Sequence, residues 1–383
     1  MAARTDSPQL TIAALVGATI ATVFPGFLTG ALAVQVGEDL NVSEATYGWG
    51  LGGFFLAATA GSVVLGRLAQ RIGPRRQITG VLMVSAAAQL WIAAAATSFV
   101  SVVAALSVCG FVNAGNQTAV NLALTRARLP RLGLSIALKQ SGMPTASMLS
   151  GLAVPAIALT VGWRWAYVGG ALLAVVAMFA VRAVIEPMAP RDRARSVAAP
   201  VSSRRSLLLA AAVGGLLAFS AGALNAWVVA SGVDAGLSPG VAGIMLSLGA
   251  AAGISLRLVA GFRLDAMKAR PLFVAGVTVL AGAVGMVLLG VRSGGVHMGA
   301  TLLAFAGGWI WPVFTNFGIV RTNADAAGSA TGITQMGVYV GVFSAPLLTG
   351  VMIERLGYGW MWLTAGAVTV VGAALAIRIA PDF

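Results

Sequence analysis

The chain has 383 residues, 58% of them hydrophobic and only 9% charged, with a mean hydropathy of +0.92. A soluble domain carries about 25% charged residues, so this composition excludes a water-soluble globule and points to an integral membrane protein. The net charge of +13 sits in short loops between apolar runs, which argues for membrane topology and against a nucleic-acid partner.

The opening segment "MAARTDSPQL" leads into an apolar run over residues 10–33. That run exceeds the roughly 7–15 residue core of a cleavable signal, so it reads as a retained first helix. Further apolar runs cover 46–66, 77–96, 99–123, 133–159, 163–185, 206–231, 241–262, 271–291, 297–319, 328–352 and 359–380. Each reaches about the 20 residues that cross a bilayer. Segments such as "GEDLNVSEAT" and "DAGLSPG" are polar and turn-forming, and fit loops. The single cysteine, Cys109, lies inside an apolar run, which excludes a disulfide framework and suits a small core residue.

With the N-terminus in the cytoplasm, only Arg164, Arg292 and Arg355 of the 24 Lys and Arg residues lie outside. The positive-inside bias therefore predicts a multi-pass protein of the cytoplasmic (inner) membrane with both termini cytoplasmic. The Pro-, Arg- and Ser-rich stretch 186–205 reads as a cytoplasmic linker. It separates an N-terminal six-helix bundle, 1–185, from a C-terminal one, 206–383. The halves match at a constant shift of 195: Gly66 with Gly261, Asn121 with Asn316, Arg126 with Arg321, Gln140 with Gln335, Gly142 with Gly337, Trp165 with Trp360. The predicted fold is all-α, twelve transmembrane helices in two pseudo-symmetric bundles, an alternating-access arrangement.

The loop "GRLAQRIGPRR" (66–76) supplies Gly66, Arg71, Gly73, Arg75 and Arg76, with Pro74 before the basic pair and Gln70 at the position of the usual acid. This pattern resembles the loop signature of the major facilitator superfamily. The second copy, "GFRLDAMKAR" (261–270), keeps Gly261 and an acid, Asp265, followed by Lys268 and Arg270. Physically, Gly66 and Gly261 allow close helix approach, and the basic residues face anionic lipid. Asp265 can sit at a neighbouring helix N-terminus and latch one state. Gln70 offers no full charge, so the first-half latch is expected to be weaker. The latch set is thus Gly66, Gln70, Arg71, Gly73, Arg76, Gly261 and Asp265.

All eleven acids fall in loops or at helix edges, and His297 falls in the turn "RSGGVHMG". Two cations, Lys139 in "SIALKQSGMP" and Arg257 in "ISLRLVAGFRLD", lie within helices, where each costs about 2.5–3.5 kcal/mol at the centre. One reading is snorkelling: Arg257 is about 6 Å and Lys139 about 9 Å from the cytoplasmic end. The other is a substrate site. An Arg four residues before the eighth-helix Gly, with Asp four after it, resembles nitrate, oxalate and monocarboxylate carriers of the superfamily. In that resemblance Arg257 binds the anion, and helices 5 and 8 meet across the cavity. Ser62 stands where nitrate carriers have a second Arg. "KQSGMP" is weakly similar to cyanate-porter-like members.

Further lining candidates are Asn113, Asn116 and Gln117, which share a face with Asn121 on helix 4, together with Gln140, Asn225, Trp309, Gln335 and Tyr339; Trp311 also falls on helix 10. No Walker loop, metal-ligand cluster or nucleophile–base constellation is present in the sequence, so neither an enzyme nor a cofactor is expected. The expected protein is a monomeric secondary transporter of a small organic or inorganic anion, by exchange or proton-linked symport, with lipid as its other partner. The alternatives are a drug-efflux carrier, which usually needs an intramembrane acid, and a non-transporting membrane sensor.

Overall fold

The computed structural model describes residues 8–126, 132–187 and 200–383; much of the 186–205 linker expectation lies outside the described residues. The first-half helices are α1 (Pro8–Ala31), α2 (Ala33–Leu40), α3 (Glu44–Ile72), α4 (Pro74–Ala95), α5 (Phe99–Arg126), α6 (Leu132–Ala153) and α7 (Trp163–Val184). The second-half helices are α8 (Arg204–Asp234), α9 (Pro239–Leu264), α10 (Pro271–Leu289), α11 (Gly294–Gly308), α12 (Trp311–Thr322), α13 (Ala327–Leu356) and α14 (Tyr358–Ile379). Ten spans among the described residues are long and apolar enough to cross a membrane. The remaining two, α3 and α6, are packed beside α5 and α13, and beside α1 and α9. With α11 and α12 counted as one broken span and α2 as a short extension, twelve spans result.

Local chemistry repeats with the halves. Ser43 caps α3 and Ser238 caps α9, each side chain accepting from the backbone N–H three residues on, as an N-cap serine does. These two serines are 195 apart. Gly162 and Gly357 are also 195 apart. They open α7 and α14 with φ of 101° and 82°, a left-handed conformation that favours glycine.

Two expectations need correction. The segment assigned to a loop after the first run is partly helical, as α2, stopped by Asn41 at φ 50°. His297 does not lie in a turn. It belongs to the first turn of α11, is 1% exposed, and sits 2.9 Å from Ser231 Oγ.

Close packing uses small residues, as expected where lipid removes the hydrophobic drive between helices. A Cβ on Gly110 would lie 1.9 Å from Phe54 O, joining α5 to α3. One on Gly337 would lie 1.8 Å from Ala211 O, joining α13 to α8. The halves meet along two seams. In the α6–α9 seam, a Cβ on Gly243 would approach Gly151 O to 2.7 Å. In the α3–α13 seam, one on Gly48 would approach Pro346 O to 2.2 Å. Gly48 with Gly243, and Gly151 with Pro346, are again 195 apart, so the seams are repeat-related crossings.

Among the described residues, the ion pairs join residues assigned by charge to the same membrane face. On one face Arg164 pairs with Asp39 at 2.8 Å and Arg292 with Asp234 at 3.3 Å. The Arg164 hydrogen bond, then that from Trp163 Nε1, holds the Asp39 carboxyl below the usual carboxylate range. On the other, basic face Arg75 Nη2 donates to Arg182 O and Ser206 Oγ to Asp382, both at 2.7 Å.

Gly110→Ala and Gly337→Ala are expected to lower the melting temperature of the purified protein, overpacking costing about 1–3 kcal/mol. Gly17→Ala, where nothing lies within 4 Å, is the control and should not lower it, since alanine without a clash favours the helix.

Candidate functional site

Arg257 lies two turns before the end of α9 and is 1% exposed. Its guanidinium turns inward to backbone carbonyls. Nε donates to Trp309 O at 3.1 Å, Nη2 donates to the same oxygen, and Nη1 donates to Gln140 O. The snorkelling reading is therefore wrong for Arg257: the head is buried between helices rather than extended to the basic face.

Both carbonyls are free for a reason written in the sequence. In an α-helix Gln140 O would accept from the N–H of residue 144, but that residue is Pro144, inside α6, and proline has no N–H. Trp309 follows the last residue of α11, where the tenth span breaks. Three residues on stands Pro312, and the Val313 N–H goes to Ile310 O instead. Run length alone predicts a continuous span over 297–319. The break leaves the Trp309 carbonyl exposed to the side, and its indole lies 5.1 Å from the guanidinium carbon, within cation–π range. Phe27 of α1 meets the Trp309 ring edge-on at 5.7 Å.

Lys139 precedes Gln140 on α6. It is half-buried and forms no hydrogen bond or ion pair with another described residue. The Gln140 carbonyl thus places the Arg257 head against the backbone next to Lys139. Among the described residues the two ion pairs, Arg164–Asp39 and Arg292–Asp234, both involve the opposite face.

The helix 4 amides fall on α5. Asn113 and Asn116 converge on Thr22 of α1, which no motif in the sequence marks. Thr22 Oγ1 lies 3.1 Å from Asn113 Oδ1, and Asn116 Nδ2 donates to Thr22 Oγ1 at 3.0 Å. Asn116 Oδ1 and Gln117 Nε2 are buried without a partner among the described residues. Asn225 is turned to the seam between halves: its Oδ1 accepts from Ser147 Oγ at 2.7 Å, and its Nδ2 donates to Ala221 O. Gln335 and Tyr339 are half-buried on α13, and no contact ties them to Arg257.

On the basic face, Asp265 Oδ1 accepts from the Gly133 N–H in the first turn of α6, at 3.1 Å, a carboxylate at a helix N-terminus. Gly261 meets Ala137, where a Cβ would lie 2.4 Å from the Ala137 Cβ. Gly73 turns the chain between α3 and α4, and Arg71 and Arg76 are exposed. The Gln70 side chain and the surroundings of Gly66 lie outside the described residues. A second carboxylate was missed. On the opposite face, Glu354 of α13 accepts from the Ala45 N–H at the start of α3, at 3.2 Å. Its place at a helix edge in the sequence gives no sign of this contact.

Asp265→Ala is expected to lower the melting temperature by the equivalent of about 0.3–1 kcal/mol, less in high salt. Asp265→Asn, which keeps an acceptor oxygen, should lose less. An unchanged melting temperature for Asp265→Ala at low salt would remove the contact from the account.

A family model for the Major Facilitator Superfamily matches residues 11–343. Comparison with curated proteins returns no significant match. Twelve spans, two repeat-related seams and a match over most of the chain agree: this multi-pass membrane protein belongs to the Major Facilitator Superfamily of secondary transporters.

Proposed function

We propose that this transporter carries a small anion, an organic carboxylate or small inorganic oxyanion, across the cytoplasmic membrane by rocking its two halves about the Lys139–Arg257 level. The observation that supports this reading is the charge arrangement. Arg257 binds the backbone carbonyl of the residue that follows Lys139 in the other half, and neither cation pairs with a described acid. A cation inside the membrane is costly without a partner. The substrate supplies the missing negative charge: Arg257 offers a planar fork and Lys139 a point charge.

The same arrangement favours coupling. Bringing Lys139 and Arg257 together around an empty site concentrates positive charge in a low-dielectric region. An anion between them relieves that repulsion, so closure favours the loaded carrier and biases the cycle toward exchange. In proton-linked symport, deprotonation of Lys139 would serve the same end. The amides Asn113, Asn116 and Gln117, with Thr22, supply hydrogen-bonding capacity for the uncharged part of the solute. Asp265 and, on the other face, Glu354 latch the seams.

Counterflow of radiolabelled small carboxylates and nitrate into proteoliposomes tests the reading. Charge-assisted hydrogen bonds contribute about 1.5–3 kcal/mol, so Lys139→Ala and Arg257→Ala should each cut uptake about tenfold or more. Undiminished uptake in both variants would refute it.

A further inference from the structure

The guanidinium of Arg257 is held asymmetrically, and the asymmetry says which part of it a substrate reaches. Nε and Nη2 grip Trp309 O, which belongs to the same half as Arg257 and moves with it. Nη1 holds Gln140 O, which belongs to the other half. Were α6 and α9 to part, the Trp309 grip would persist and the Gln140 carbonyl would withdraw. The end of the guanidinium, Nη1 with the outer N–H of Nη2, would then be left open as a two-pronged donor. Two oxygens of one planar group match that fork with two near-linear hydrogen bonds; a spherical ion, bridging both N–H groups from one point, accepts two bent ones.

Building on the anion reading above, we propose that the substrate head is a planar two-oxygen anion that replaces the Gln140 carbonyl on the Nη1/Nη2 end of Arg257, and that Pro144 is the positioning residue that makes this carbonyl available. Pro144 removes the N–H that would otherwise engage Gln140 O within α6. The carbonyl therefore acts as an internal stand-in for the substrate oxygens, and it competes with them. Lys139, the adjoining residue, travels with that carbonyl and meets the same anion from the other half. Selectivity for planar oxyanions over halide, and a ceiling on affinity set by the competing carbonyl, both follow.

The test uses the purified full-length carrier and four proteins: unmodified, Pro144→Ala, Arg257→Lys and the double variant. Each is titrated with acetate, nitrate and chloride, with binding read from thermal shift. Pro144→Ser restores the same N–H should the alanine variant express poorly. The expected result is that acetate and nitrate bind more tightly than chloride. Pro144→Ala should tighten acetate binding about three- to tenfold, the range given by loss of one competing hydrogen bond, and this gain should vanish alongside Arg257→Lys. An equal effect of Pro144→Ala with and without Arg257→Lys would overturn the proposal, since the proline would then act only through helix shape. So would chloride binding as tightly as acetate. Failure of every anion to bind the unmodified carrier is a different outcome, and sinks the anion reading itself.

Discussion

A buried guanidinium held by two backbone carbonyls ties the halves of this transporter together. An uncompensated arginine in a membrane is expensive, and Arg257 meets that cost with dipoles rather than a carboxylate. Each carbonyl lacks its helical donor: Pro144 cannot serve Gln140 O, and the break before Pro312 frees Trp309 O. Other positions depend on this contact. Trp309 is fixed between Phe27 and Phe305, which packs the broken span against α1, and Gln140 brings Lys139 to the same level of the seam.

Around this centre the repeat is preserved in shape and broken in charge. The two seams use glycine-lined crossings 195 residues apart. In the α6–α9 seam the carboxylate, Asp265, is on the basic face. In the α3–α13 seam the carboxylate, Glu354, is on the opposite face. The counterpart of Glu354 is Leu159, which lies against Gly240, and the counterpart of Asp265 is Gln70. Among the described residues, one charged cap per seam, at diagonal ends, makes the two faces inequivalent although the seams are repeat-related.

Much of the architecture was legible in the chain because it rests on local quantities. Run length and loop charge gave the spans and which residues share a face, and a constant offset gave the repeat. The loop glycine and Asp265 were legible as a helix-end contact. What escaped depends on partners distant in sequence. The distance of Arg257 from the helix end, which suggests snorkelling, is visible in the sequence, whereas a free carbonyl on another helix is not. Pro144 and Pro312 were the available signal, each marking a missing backbone donor. His297 was placed in a turn because "RSGGVHMG" is glycine-rich, yet α11 begins at Gly294 and buries it beside Ser231. Thr22 carried no mark beyond its spacing from Thr19, and its role emerges only where α1 meets Asn113 and Asn116.

Solid-state NMR dipolar recoupling in lipid bilayers tests the central contact most directly, using carrier labelled with 15N in arginine side chains and 13C in glutamine backbone carbonyls. The account predicts a short guanidinium–carbonyl coupling in the empty carrier, assignable to Arg257 and Gln140 by its disappearance in Arg257→Met. A spectrum of the empty carrier with no such coupling, or one unchanged by that substitution, would contradict it.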